Sequence, residues 1–442
     1  MARMTRSGLD TIREWLWSGE RARAGRAVAV MLQEEPGDLH AFALCGLALL
    51  ELGRREEGLA ALRTCAAAAT ETGNLPLALS CLFSLSDAGE AVDEPFHLVI
   101  GEYHRTAPRV DPELRLAPPL PRPLPDLPAS VNEDEAARLA VAAAKAAADR
   151  WAFERSMALE RPRLPLIPFL GALSADSLKM VLANAEAVEF GPGKLLVEQG
   201  AEGDALFLVL CGWAKVVRRT RTGDEHILRR LAPGSVVGEV ALVTRAPRVA
   251  SVISETGVQA LRLRREVVEE LAEREPALAE ELVEFCRQKM LANLLETSPV
   301  LRPLGDAERA EVVRGFDRRV LSTGDLPVRQ GEPSPGLFLI VVGQAEVLKR
   351  ETPDGPLVRL AVLGPGDVFG EMSLVVEGPA TATVQMVYDG ALLVLPRERF
   401  LRTVQAHPEL REELERVARE REEETRSLLG QVSVAADDIT LV

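Results

Sequence analysis

Apolar and polar positions follow two different rhythms along this chain. From about residue 10 to 90, Ala and Leu recur at helical spacing. Turn signals at Glu35-Pro36-Gly37-Asp38 and Leu52-Gly53-Arg54 separate the runs, which predicts an array of helical hairpins. Between Pro108 and Pro128 prolines come every few residues, removing backbone donors and biasing the chain towards polyproline II, so this stretch reads as a semi-rigid spacer. Residues 132–160 read as an alanine-rich helix capped by Asn132, with Glu133, Asp134 and Glu135 in the first turn where the macrodipole favours them. Beyond Pro162 the pattern changes to short β-branched runs broken by glycine, as in KLLVEQG, ALFLVLCGWAKVV and HILRRLAPGSVVGEV, which predict strands.

The strand pattern then repeats after about 131 residues. Gly193, Gly200, Phe207, Gly212 and Gly234 are answered by Gly324, Gly331, Phe338, Gly343 and Gly366, so two copies of one small β-domain are expected. Helical stretches from Arg265 to Leu295 and from Arg397 to Leu429 follow the copies. The fold class is therefore multidomain: an N-terminal all-α helical repeat, then two jelly-roll-like β-barrels (double-stranded β-helices) with flanking helices. The boundaries are 1–107 for the helical domain, 108–131 for the linker and 132–162 for a connecting helix; 163–296 and 297–429 hold the two β-domains, and 430–442 a flexible tail. The stretch PGDLHAFALCGLALLELGRREEGLAALR resembles a tetratricopeptide repeat, with Pro36, Ala41, Gly46, Leu50, Gly53 and Ala60 near that family's turn and small-residue positions. That resemblance implies a protein partner held by the helical repeats.

Composition narrows the function classes. A net charge of −15 and an aromatic content of 4% disfavour phosphate-neutralising faces and base-stacking platforms, so no nucleic-acid partner is expected. Cys45, Cys65, Cys81, Cys211 and Cys286 are odd in number and lack C-x-x-C spacing, which reads as reduced, mostly buried thiols. The N-terminus has no apolar core of a secretory signal, and Ala41–Leu50 falls short of the roughly 20 residues a membrane span requires. The reading is a cytoplasmic chain with no membrane partner and with room for a homodimer.

The chemistry sits in GEVALVTRAPRVASV, Gly238 to Val252, and in its counterpart GEMSLVVEGPATATV, Gly370 to Val384. Both resemble the phosphate-binding cassette of cyclic nucleotide-binding domains, the fold of protein kinase A regulatory subunits and of the catabolite activator protein. A cyclic phosphodiester needs a fixed cation, oriented amides and an acceptor for its ribose hydroxyl. Gly238 permits the tight turn; residues from Glu239 to Val243, Val240 and Ala241 among them, can start a short helix with free N–H groups. Arg248 supplies a planar guanidinium that can hold two phosphate oxygens, and Glu239 is the acceptor for the ribose hydroxyl. The resemblance further implies a phosphate contact from the Ser251 hydroxyl and close approach of the Ala250 N–H. It also implies a preference for cAMP over cGMP, because Val249 stands where cGMP-selective members often carry threonine. By the same resemblance, base contacts would come from the helical segment after the barrel, with Phe285 or Met290 as lids.

In the second copy Gly370, Glu371 and Thr383 persist, but Ala380 occupies the arginine position and is followed by Thr381, so the site these residues form is degenerate. Weak binding or none is expected there, unless Arg329 or Lys349 approaches from another strand. The leading function is a non-catalytic cyclic-nucleotide sensor that passes its change to a protein partner. A scaffold with vestigial nucleotide sites is the alternative; a Crp/Fnr-like transcriptional regulator is weaker, because no recognition helix is left after the second copy. The final helix, dense in both charge signs, reads as a solvated helix with i,i+4 pairs. None of the five histidines has nucleophile or metal spacing, so no enzyme is expected and no cofactor beyond the ligand.

Overall fold

The computed structural model describes residues 7–439 apart from 159, 220–224, 239–247, 249, 275, 283–284, 286–303, 306–307, 309–311, 313, 351, 353–354 and 377. The chain divides into two compact units, 1–242 with 250–285 and 243–249 with 286–442.

The first unit opens with helices α1 (Gly8–Trp17), α2 (Arg21–Glu34), α3 (Leu39–Glu51), α4 (Arg55–Thr72), α5 (Leu75–Asp87) and α6 (Asp93–Tyr103). Asp38 caps α3 by accepting from the N–H groups of His40 and Ala41 at 3.0 and 3.2 Å, and Asn74 caps α5 through Leu77. Gly46 and Gly58 lie where α3 and α4 touch. A Cβ on Gly58 would stand 2.9 Å from the Gly46 carbonyl oxygen, so a side chain at Gly58 would push the two helices apart. The predicted hairpin array is thus present, closed by burying Leu and Ala faces.

Helix α7 (Glu133–Met157) is capped by Asn132 as its sequence predicts. It does not simply lead onward. Ala136, Ala137, Ala140, Ala143, Ala144 and Ala147 form a buried stripe that packs on α2, α3 and α4, and the Cys45 Sγ donates to the Ala140 carbonyl at 3.3 Å. Small side chains let the helix sit close, so the alanine richness reflects packing as well as helix propensity. The proline-rich stretch is also tied down. Gly8 N–H donates to the Arg122 carbonyl, Arg122 N–H to the Ser7 hydroxyl at 3.1 Å, and the Arg122 guanidinium pairs with Asp38 at 3.0 Å. Strand β1 (Val110–Asp111) then pairs in parallel with β2 (Leu164–Pro165).

After helix α8 (Ala175–Asn184) comes the first β-domain: β3 (Glu186–Phe190), β4 (Leu195–Val197), β5 (Ala205–Cys211), β6 (Ala214–Arg219), β7 (Glu225–Leu231), β8 (Val236–Val237), β9 (Ser251–Ser254) and β10 (Val258–Arg264), closed by α9 (Arg265–Arg274). The strands form two sheets, β3-β10-β5-β8 and β4-β9-β6-β7, whose inner faces share one core of Leu196, Phe207, Val209, Leu231, Val252 and Ala260. The jelly-roll expectation holds, with two facing sheets rather than a closed ring.

The second unit repeats the plan with β11 (Asp317–Leu321), β12 (Gly336–Lys349), β13 (Val358–Leu363), β14 (Val368–Phe369), a short helix α10 (Glu371–Val375), β15 (Thr383–Pro396), α11 (Arg397–Ala406) and α12 (Pro408–Ile439). Here β12 and β15 run long and bulged through the whole domain. Helix α12 corrects the solvated reading of its sequence. Leu410, Leu414 and Ala418 are buried on one face, and the first two join the core of this unit with Leu337, Leu374 and Phe400. A stripe of three apolar residues among many charges suffices to dock a helix whose other faces remain wet.

His40, near the start of α3, titrates at about 4 because burial and then the Arg13 charge disfavour its imidazolium. The unfolded chain takes up that proton below about pH 6.5 while the folded chain does not. Stability from this site is therefore complete above pH 6.5 and is lost as pH falls towards 4. His40→Leu is expected to flatten the fall in urea midpoint between about pH 7 and pH 5; an unchanged slope would count against it.

Candidate functional site

In the first cassette, β8 delivers the chain to Gly238, whose φ of 90° is left-handed, and β9 takes it away from Ser251. Glu239, Val240, Ala241 and Val249 lie outside the described residues. Arg248 is 8% exposed, an unusual degree of burial for a guanidinium. Ala250 is buried beside it in sequence, and Val252 lies in the core of the first β-domain.

The Ser251 Oγ accepts a hydrogen bond from Gln199 N–H at 2.9 Å, which leaves the hydroxyl proton available to an anion. Gln199 is fixed in turn: its Nε2 donates to the Arg219 carbonyl at 3.1 Å and its Oε1 accepts from Arg219 N–H at 2.8 Å. The second domain repeats this clamp. Gln330 N–H donates to the Thr383 hydroxyl at 3.0 Å, and the Gln330 amide bridges Arg350 at 2.7 and 2.9 Å. Sequence reasoning passed over both glutamines. The signal was present in VEQG and VRQG, where the same Gln precedes paired Gly200 and Gly331.

The second cassette is fully described at its key positions. Gly370 has φ 86°, and a Cβ there would stand 2.6 Å from the Gly336 carbonyl oxygen, so glycine is required. Ala380, at the arginine position, is part of an apolar cluster with Val328, Met386 and Leu392, and its N–H donates to the Glu332 carbonyl at 2.8 Å. Thr381 is exposed, with its hydroxyl on the Met372 sulfur. Arg329 is exposed as well, and Lys349 ends β12 opposite Val358.

A cation from α12 reaches this cassette. Arg421 donates to the Glu371 carboxylate at 2.7 Å and to the Val368 carbonyl at 2.7 Å, while Glu371 itself is only 1% exposed. The glutamate that would accept a ribose hydroxyl is thus paired with the chain's own arginine.

Residues 187–275 and 318–407 match the family described as the cyclic nucleotide-binding domain. Both segments belong to that family. Among curated relatives, the cAMP-dependent protein kinase regulatory subunit of Dictyostelium discoideum is 26% identical over 232 residues, 52% of this chain and 68% of that protein. The regulatory subunit of Schizosaccharomyces pombe is 32% identical over 210 residues, 44% of this chain and 46% of its own. The chain spans about half the length of several such relatives. Among solved structures, the regulatory domain of Toxoplasma gondii PKA with cAMP aligns with 56% of this chain and 90% of its own at 24% identity and a TM-score of 0.28. The catabolite activator protein of Thermus thermophilus aligns with 31% of this chain and 63% of its own at 32% identity and a TM-score of 0.29.

Among the lids considered for the base of a bound nucleotide, Phe285 is buried and stacks edge-on against Phe169 at 5.3 Å, so it belongs to the packing of the first unit. Met290 lies outside the described residues. Cys45, Cys65, Cys81 and Cys211 are free, buried thiols. Among the described residues, no helix is long and apolar enough to cross a membrane.

Proposed function

We propose that this chain is a cytoplasmic, non-catalytic cyclic-nucleotide sensor that binds one cyclic mononucleotide, cAMP in preference, through its first cassette. The observation that carries the reading is the contrast between the two copies. The first keeps Glu239 and Arg248 in one string with the Ser251 hydroxyl unencumbered as a donor. The second has Ala380 in an apolar cluster and its Glu371 engaged by Arg421. An anion entering the second site would find no cation at the cassette's own position and a carboxylate already in use.

Relatives named as regulatory subunits of a cAMP-dependent kinase support carrying over both the ligand and a protein partner that receives the change. Calorimetry with cAMP should give a stoichiometry of one per chain; a value of two would overturn the assignment to the first cassette alone. Val249 supports weaker binding of cGMP, since a guanine amino group buried against valine loses a water partner at a cost of about 1–3 kcal/mol. Tighter binding of cGMP in the same titration would show that the base is read elsewhere. No sequence-specific DNA binding is expected at physiological salt, and a nanomolar footprint would favour the transcriptional alternative.

A further inference from the structure

The first β-domain carries an interface that the sensor reading does not use. Helix α5 packs on β5, where Ser80, Cys211 and Gln259 are all buried. The Ser80 hydroxyl donates to the Gln259 Oε1, the Cys211 Sγ donates to the Ser80 Oγ at 3.1 Å, and the Gln259 Nε2 donates to Glu189 at 3.4 Å. Buried polar groups satisfied across a boundary fix one register, because any slip leaves them unpaired. Around this point Trp17 of α1 packs on Gly191, and Pro76 of α5 and Leu116 of the proline-rich stretch pack on Gly234. A cleft of about 210 Å³ beside it is lined by Arg13, His40, Pro119, Arg230, Glu255 and Thr256.

The position of this interface matters more than its size. Gly234, packed against Pro76, lies four residues before Gly238, where the cassette begins. Glu255, in the cleft, lies three residues after Val252, where the cassette ends. Strands β8 and β9 therefore connect both ends of the cassette directly to the docked helices. The four-residue span from Gly234 to Gly238 and the three from Val252 to Glu255 are short enough that a shift of the cassette bears on the contacts of α1 and α5. The second domain is an internal comparison. Register places Val320, Ala391 and Val342 where the first domain has Glu189, Gln259 and Cys211, and Val320 is 70% exposed. The polar trio is thus a feature of the copy that keeps the phosphate arginine.

We infer that the N-terminal helical array is the reporter of the first cassette, docked through Ser80, Gln259 and Cys211, so that nucleotide binding and this docking are linked in free energy. The inference rests on the reading that the first cassette binds a cyclic nucleotide. Linkage is reciprocal: if cAMP alters the docking, fixing the docking must alter cAMP affinity, by up to the same factor.

The test uses the full chain carrying Ser80→Cys. The 3.1 Å separation of Ser80 Oγ and Cys211 Sγ is close to disulfide reach. Diamide takes two electrons and two protons from the two thiols as the bond forms. Oxidised and reduced forms of this variant should differ in cAMP affinity by about fivefold or more, beyond any change the oxidant makes in the wild type, whose Cys65 and Cys81 thiols are already in hydrogen-bond contact. In the wild type, cAMP should change the amide hydrogen exchange of α5, and Gln259→Ala should weaken that response even if the disulfide does not form. Wild type that binds neither cAMP nor cGMP would overturn the sensor reading itself. Wild type that binds cAMP, with equal affinity in every form and no change in α5 exchange, would overturn only the linkage.

Discussion

Arg248→Ala is expected to lower the affinity of the first domain for cAMP by about 30-fold or more. A cyclic phosphate desolvated without its guanidinium forfeits a charge-assisted contact, and truncating one partner of such a buried pair costs about 2–5 kcal/mol. At 1.4 kcal/mol per factor of ten, the lower bound corresponds to about 30-fold. Arg248→Lys should recover only part of the loss, because a point charge cannot hold two phosphate oxygens in a fixed fork. Glu239→Ala should weaken binding less than Arg248→Ala, since its proposed partner is a neutral hydroxyl. Arg248 is buried, so thermal unfolding must be measured alongside calorimetry. Full cAMP affinity in a folded Arg248→Ala chain would remove the site.

The second large effect belongs to the other cassette and needs no ligand. Arg421→Ala leaves the Glu371 carboxylate, 1% exposed, without its cation, and breaking a buried pair from one side costs about 3–5 kcal/mol. The partial exposure of the arginine side chain, 28%, places the expected loss at the low end, about 3 kcal/mol. Amide exchange in α12 should accelerate accordingly, by about a hundredfold if that helix opens with the pair. Adding Glu371→Gln to Arg421→Ala should restore part of the protection, because the unpaired charge is then gone. Unchanged exchange in Arg421→Ala would mean that α12 is held without that ion pair, by contacts such as those of Leu410, Leu414 and Ala418.

The two cassettes differ in what their sequences disclose. The turn at Gly370 could be read from sequence, because a left-handed φ and a 2.6 Å approach to a carbonyl tolerate glycine alone. The lost arginine was equally visible as Ala380. The replacement cation was not: Arg329 and Lys349 are nearer in sequence to the strands of the site, yet Arg421 arrives from 50 residues beyond Glu371. Nothing in a charge-dense helical stretch marks which arginine faces the protein, because that depends on how Leu410 and Leu414 seat the helix.

By itself the sequence determined the elements and their order. Helical spacing specified the N-terminal array, paired glycines specified two copies of one β-domain, and a contiguous string specified the phosphate cassette, since each of these is local in the chain. Only the tertiary structure decided what the elements face. It folded the alanine stripe of α7 back onto α2, α3 and α4, and it joined Ser80 to Gln259 across 179 residues. It also set Arg421 on Glu371. The physical reason is common to all three: periodicity tells a segment which face to bury, while the partner for that face is chosen by shape and charge brought together from distant parts of the chain.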